Sequence, residues 1–162
     1  MTGHGQTLLR PTAAWVTHEG AARALRWAAA AYALVWAIHT GDHIRRGTGI
    51  VTTEVLVAGS VAAILQLSGV AAVFLRWRWA PLMAIAIGFP DALGITAVHL
   101  LPHWSSFSDA FPGAHGTGVT AFSWFAATSE IIGALAFGIA GIYAWRAARG
   151  QPVIAPPEPA SA

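Results

Sequence analysis

Two histidine pairs and two carboxylates stand out in an otherwise apolar chain. His39 and His43 are four residues apart in Ala37-Ile38-His39-Thr40-Gly41-Asp42-His43. His99 and His103 repeat that spacing in Ala97-Val98-His99-Leu100-Leu101-Pro102-His103. Each pair is followed by a hydroxyl residue and a glutamate, Thr53-Glu54 and then Ser129-Glu130, with Asp91 between the copies. Imidazoles at this spacing share one helix face and can chelate a single ion. Histidines and carboxylates without thiolates suit Fe, Zn, Cu(II), Mn or Ni rather than Cu(I). The expected metal ligands are therefore His39, His43, Asp91, His99, His103 and Glu130. A haem b variant would take His39 and His99 as its axial pair.

Local signals bear on this geometry. At Gly41 the first helix can stop, with Asp42 opening a turn. Pro102 disfavours helix at Leu101, which places His103 in a loop.

The elements that must position these groups are set by composition. Of 162 residues 56% are apolar and 10% charged, with a mean hydropathy of +0.57. Soluble domains average about 25% charged residues, so the chain reads as an integral membrane protein with the lipid bilayer as its partner. The absence of cysteine excludes disulfides, thiolate metal sites, Fe–S clusters and covalent c-type haem. All nine basic residues are arginine, so no lysine is present to form a retinal or pyridoxal Schiff base. No basic stripe tracks phosphates, and no nucleic-acid partner is expected.

A bilayer core needs about 20 apolar residues per helix. Four stretches qualify, near Trp27–His43, Thr53–Leu75, Trp79–Leu101 and Val119–Trp145. The fold class is all-α, an integral membrane four-helix bundle. Residues 1–24 form an N-terminal arm without a secretory h-region, 25–149 the four-helix domain, and 150–162 a disordered proline-rich tail. Seven arginines lie on the side of the two termini and only Arg45 and Arg46 on the other. Positive-inside logic then places both termini in the cytoplasm of a multi-pass cell-membrane protein. The histidine pairs fall at the outer ends of helices 1 and 3. Helices 1–2 and 3–4 read either as a 2+2 repeat or as a chance match of short Ala/Ile/Val stretches. Gly59, Ser60, Ser68 and Gly69, with Ala134, Gly138 and Gly141, are small residues that let helices approach. Pro90 is expected to kink helix 3.

A rise of about 1.5 Å per residue separates the polar groups into two tiers. His39, Asp91 and Glu130 form a buried tier, and His43, Glu54, His99 and His103 a mouth tier. Counting from Arg26 and Arg78, His39 and His99 differ in depth by about 10 Å. A carboxylate at the bilayer centre costs about 2.5–3.5 kcal/mol, so Asp91 and Glu130 should be protonated, paired or metal-bound. Gln66 reads as an interhelical hydrogen-bond partner. His4, His18 and His115 read as bystanders.

Three function classes follow. The first is a His/carboxylate metal or haem b site open to the extracytoplasmic side, with a redox or metal-handling role or with chemistry on a lipidic substrate. The second is a proton-coupled transporter or relay, for which four helices require a homo-oligomer or a larger membrane complex. The third is an accessory subunit of such a complex.

Overall fold

The computed structural model describes residues 18–114 and 117–150. Among these the chain forms four α-helices and no strand: α1 (His18–Arg46), α2 (Thr53–Phe74), α3 (Ala80–Ile95) and α4 (Ala121–Ala148). A 3-10 turn at Thr48–Ile50 joins α1 to α2, and a π-turn at Thr96–Leu100 prolongs α3. Three helices are long and apolar enough to cross a bilayer: α2, α3 with its π-turn, and α4. At 29 residues α1 is long enough. Its arginines, Glu19 and Asp42 gather at both ends, however, and leave a shorter apolar middle.

The first helix is longer than the sequence suggests at both ends. It begins at His18 rather than near Trp27, with Glu19 in its first turn. It then continues through Gly41 to Arg46, with His43, Arg45 and Arg46 in its last turn. Acidic groups at the start and basic groups at the end both complement the helix dipole. A mid-helix glycine costs about 1 kcal/mol relative to alanine. Arg45 offsets that cost by donating to Asp42 Oδ1 at 3.0 and 2.7 Å, a contact one helical turn makes available. His4, His115, Arg10 and the proline-rich tail lie outside the described residues.

Helix α4 packs along both α1 and α3, while α2 lies outermost. Small residues set the spacing. A Cβ on Gly88 would meet the Ala134 carbonyl oxygen at 2.5 Å, and one on Gly141 would meet that of Pro81 at 2.7 Å. On the α1 side, a Cβ on Gly133 would meet Val35 Cγ2 at 2.6 Å. Between these close approaches Tyr32 stacks on Phe137, ring centroids 5.1 Å apart. Of the two glycines in α2, Gly69 packs tightly against Ile87, whereas Gly59 faces open space. At the end of the bundle away from the histidines, Arg78 lies over Trp79 and Arg149 over Trp145.

Candidate metal centre

His39, His43 and His99 meet at one place. Their ring centroids are 4.8, 4.9 and 5.3 Å apart, and one ring nitrogen from each lies within 4.8 Å of the others. Such a triad can hold a metal ion. Metal–nitrogen bonds of about 2.0–2.1 Å put tetrahedral ligand atoms roughly 3.4 Å apart, so the rings would draw closer around an ion. His39 and His43 share a face because α1 runs on through Gly41. His99 reaches them from the π-turn, in which the Leu101 N–H bonds to the Thr96 carbonyl five residues back at 3.2 Å. Turns of this kind are rare and concentrate at functional sites.

This contact corrects the two-tier expectation. His39 and His99 are neighbours at one depth, not about 10 Å apart. The reason lies in where α1 starts. His39 is 21 residues beyond His18, as His99 is 21 residues beyond Arg78. Counting from Arg26 began well inside the helix.

Hydrogen bonds orient two of the rings. His99 Nδ1 donates to the Asp109 carbonyl oxygen at 3.1 Å. A carbonyl can only accept, so Nδ1 carries the proton and Nε2 keeps its lone pair. His39 Nδ1 lies 2.5 Å from Glu130 Oε2. Its Nε2 is buried with no hydrogen-bond partner. Metal-ligating histidines characteristically use one ring nitrogen in this way, bonded to a carboxylate or carbonyl, and leave the other for the ion.

Behind Glu130 the polar groups form a chain. The Gln66 amide donates to Asp91 Oδ1 at 2.5 Å and to Glu130 Oε1 at 3.2 Å, serving both carboxylates with one side chain. Tyr32 donates to Asp91 Oδ2 at 2.7 Å. By hydrogen bonds Asp91 therefore reaches the histidines through Gln66 and Glu130. The Thr96 hydroxyl takes no part, donating instead to the Ala92 carbonyl at 2.7 Å.

The loop after α3 closes one side of the cluster. Arg46 donates to both carboxylate oxygens of Asp109, each at 2.7 Å, and both residues are buried. Burial alone would raise the Asp109 carboxyl. The paired hydrogen bonds and charge of Arg46 outweigh it and hold the group below the usual carboxylate range. Phe111 packs tilted against His99 with ring centroids 4.7 Å apart, and the Arg46 guanidinium lies over the Phe111 ring, 5.3 Å from its centroid. Backbone bonds fasten the same loop: Asp109 N–H to the Val98 carbonyl at 3.1 Å, and Phe111 N–H to that of His99 at 2.9 Å. The other side of the cluster opens on a cavity of about 530 Å³ bounded by α1, α2 and α3.

Not every expected residue gathers here. His103 is exposed in the loop, as Pro102 implies, and stands apart from the triad. Glu54 is exposed on α2, and His18 is exposed at the start of α1. Sequence reasoning missed the Asp109 carbonyl, the Arg46 latch and Tyr32, and gave Gln66 too small a part. Asp109 sits in a Ser/Gly/Pro-rich loop without periodicity, so only an acidic residue in an apolar chain marked it. Compared with known proteins, the chain matches no family, no curated protein and no solved structure.

Proposed function

We propose that the protein is a multi-pass cell-membrane protein, termini cytoplasmic, that binds one divalent transition metal through His39, His43 and His99. Glu130 and the Asp109 carbonyl position the ligands. The observation that carries this reading is a triad of histidines, each with a ring nitrogen within 4.8 Å of the others, in which the Nε2 of His39 is buried and unpartnered. Charge supports it as well. The buried Glu130 and the part-buried Asp91 line a cavity that contains no arginine, and a divalent cation balances the two carboxylates. Three nitrogen ligands with a fourth side free is the pattern of a reactive site rather than a closed structural one. Iron, zinc and copper(II) all accept imidazole, which fits a redox or metal-handling role.

Haem b is the less favoured variant. Axial ligands face each other across a macrocycle, whereas His39 and His99 meet edge to face at 4.9 Å with His43 beside both. Elemental analysis and an absorption spectrum of the purified protein test the choice. The proposal expects bound metal and no Soret band. A Soret band would replace it with haem, and colourless metal-free protein would sink both.

A second reading has its own observation. Two hydrogen-bonded titratable pairs, Tyr32–Asp91 and Glu130–His39, are held side by side by the Gln66 amide, the kind of intramembrane grouping that proton relays use in an oligomer or larger complex. It predicts that Glu130→Gln abolishes pH-dependent flux in liposomes. Flux that persists unchanged rules it out.

A further inference from the structure

We infer that the cavity between α1, α2 and α3 takes an amphiphile with one long apolar chain and an uncharged oxygen head, a hydroxyl or carbonyl, and presents that oxygen to the histidine cluster. This inference rests on the metal reading for what happens at the head and on the cavity alone for what is bound.

Shape comes first. Helix α2 presents Ala58, Gly59, Ala62 and Ala63 to the cavity, and small side chains there leave space that larger ones would fill. A Cβ on Gly59 would touch nothing within 4 Å. The resulting volume of about 530 Å³ lies in the range of small-molecule sites. A membrane-spanning helix of a partner, about 10 Å wide and 30 Å long, would need roughly 2,400 Å³. A single chain fits inside this volume, whereas a helix would lie across its opening and leave the interior unfilled.

Polarity comes next. Most of the lining is aliphatic, contributed by the apolar helices α2 and α3. Besides Thr40 and Ser60, its polar lining is the connected group of His39, His43, His99, Gln66, Asp91 and Glu130, held together by hydrogen bonds and ring contacts. His39 is buried, and its Nε2 has no hydrogen-bond partner there. An occupant must therefore be apolar over most of its length and polar at one end.

Charge narrows the head. The lining contains no arginine, and the chain contains no lysine. Arg46 is committed to Asp109, and Arg45 to Asp42, the Gly118 carbonyl and Ser123. A divalent ion on the histidines is already balanced by Asp91 and Glu130, and the lining offers no arginine, so a phosphate head would add uncompensated negative charge. A neutral oxygen adds none.

The test is photolabelling in phosphatidylcholine nanodiscs with a diazirine-bearing hexadecanol, followed by peptide mapping. Label is expected on residues 58–66 and 86–98, competed by unlabelled hexadecanol but not by hexadecyl phosphate. Filling the cavity with Ala63→Phe, or more gently with Ala62→Leu, removes room for several methylenes worth about 0.8 kcal/mol each, so labelling should fall at least tenfold. Ile64→Phe, on the exposed side of α2, should leave it unchanged. Labelling that survives both filling variants, or equal competition by the phosphate, overturns the inference. Metal content measured in the same samples separates the two readings. Bound metal without cavity label leaves the metal centre standing and removes the amphiphile; cavity label without metal does the reverse.

Discussion

The two His-x-x-x-His segments share their spacing and differ in what they deliver. In the first, both His39 and His43 enter the cluster because α1 stays helical to Arg46. In the second, only His99 enters, and His103 is exposed. The glutamates that follow divide the other way. Glu54 is exposed, whereas Glu130 is buried against His39. The centre thus draws two histidines from the first half and one histidine with its carboxylate from the second. Identical spacing gives different geometry because the backbone beneath it differs: a continuous α-helix in one copy, a π-turn ending before Pro102 in the other. Whatever their origin, the two segments are not interchangeable half-sites.

The sharpest way to break this comparison is to remove equivalent histidines. His99→Ala takes away a ligand and should lose bound metal by more than the 10–100-fold typical of a lost supporting contact. His103→Ala should leave affinity unchanged. Equal losses in competition titrations would restore the symmetric picture. The glutamates give the next contrast. Glu130→Gln removes the carboxylate that orients His39 and should weaken metal binding roughly 10–100-fold, while Glu54→Gln should do nothing measurable by the same titration.

A smaller effect is expected at the loop that steadies His99. Asp109→Asn keeps the backbone carbonyl bonded to His99 but breaks a buried ion pair, a change that costs about 3–5 kcal/mol of stability when a charge is left unpaired. Metal affinity should fall only modestly, and thermal denaturation should register the larger change. The pH dependence has a definite sign. Because Arg46 holds the Asp109 carboxyl below its ordinary value of about 3.9, the pair stabilises the protein above that value. The contribution is lost only as pH falls through the depressed one. Metal should nevertheless leave at milder acidity, because protons compete for imidazoles. Hydrogen-exchange protection of the 101–114 loop at pH 5 should therefore persist after metal release. Protection lost together with the metal would show that the latch depends on the ion.

Least effect is expected from Pro102→Ala. Helix past Leu100 is stopped twice, by the proline and by the Asp109 and Phe111 N–H groups that occupy the Val98 and His99 carbonyls. Removing one stop leaves the other, so metal content should hold. Recruitment of His103 on this change would place the whole asymmetry on one residue.

Much of the architecture was legible because apolar length is a one-dimensional signal. The second, third and fourth helices lie close to where hydropathy put them. The start of α1 was hidden, since His18–Arg26 is too polar to register as a span yet has a well-complemented helix start. Passage through Gly41 was hidden for a different reason. Its support comes from Arg45, Asp42 and, in distant sequence, Gly118 and Ser123. In the site, His39, His43, His99 and Glu130 were legible as costly groups in an oily chain. Their mutual distance was not, because rise counting needs a known origin. The Asp109 carbonyl could not have been foreseen, as every residue carries one.

Metal stoichiometry across three proteins bears most directly on the central claim. Wild type, His103→Ala and His99→Ala, purified alike and examined by elemental analysis, should give close to one transition metal per chain in the first two and little in the third. Metal retained after His99→Ala, lost equally after His103→Ala, or absent from wild type would contradict it.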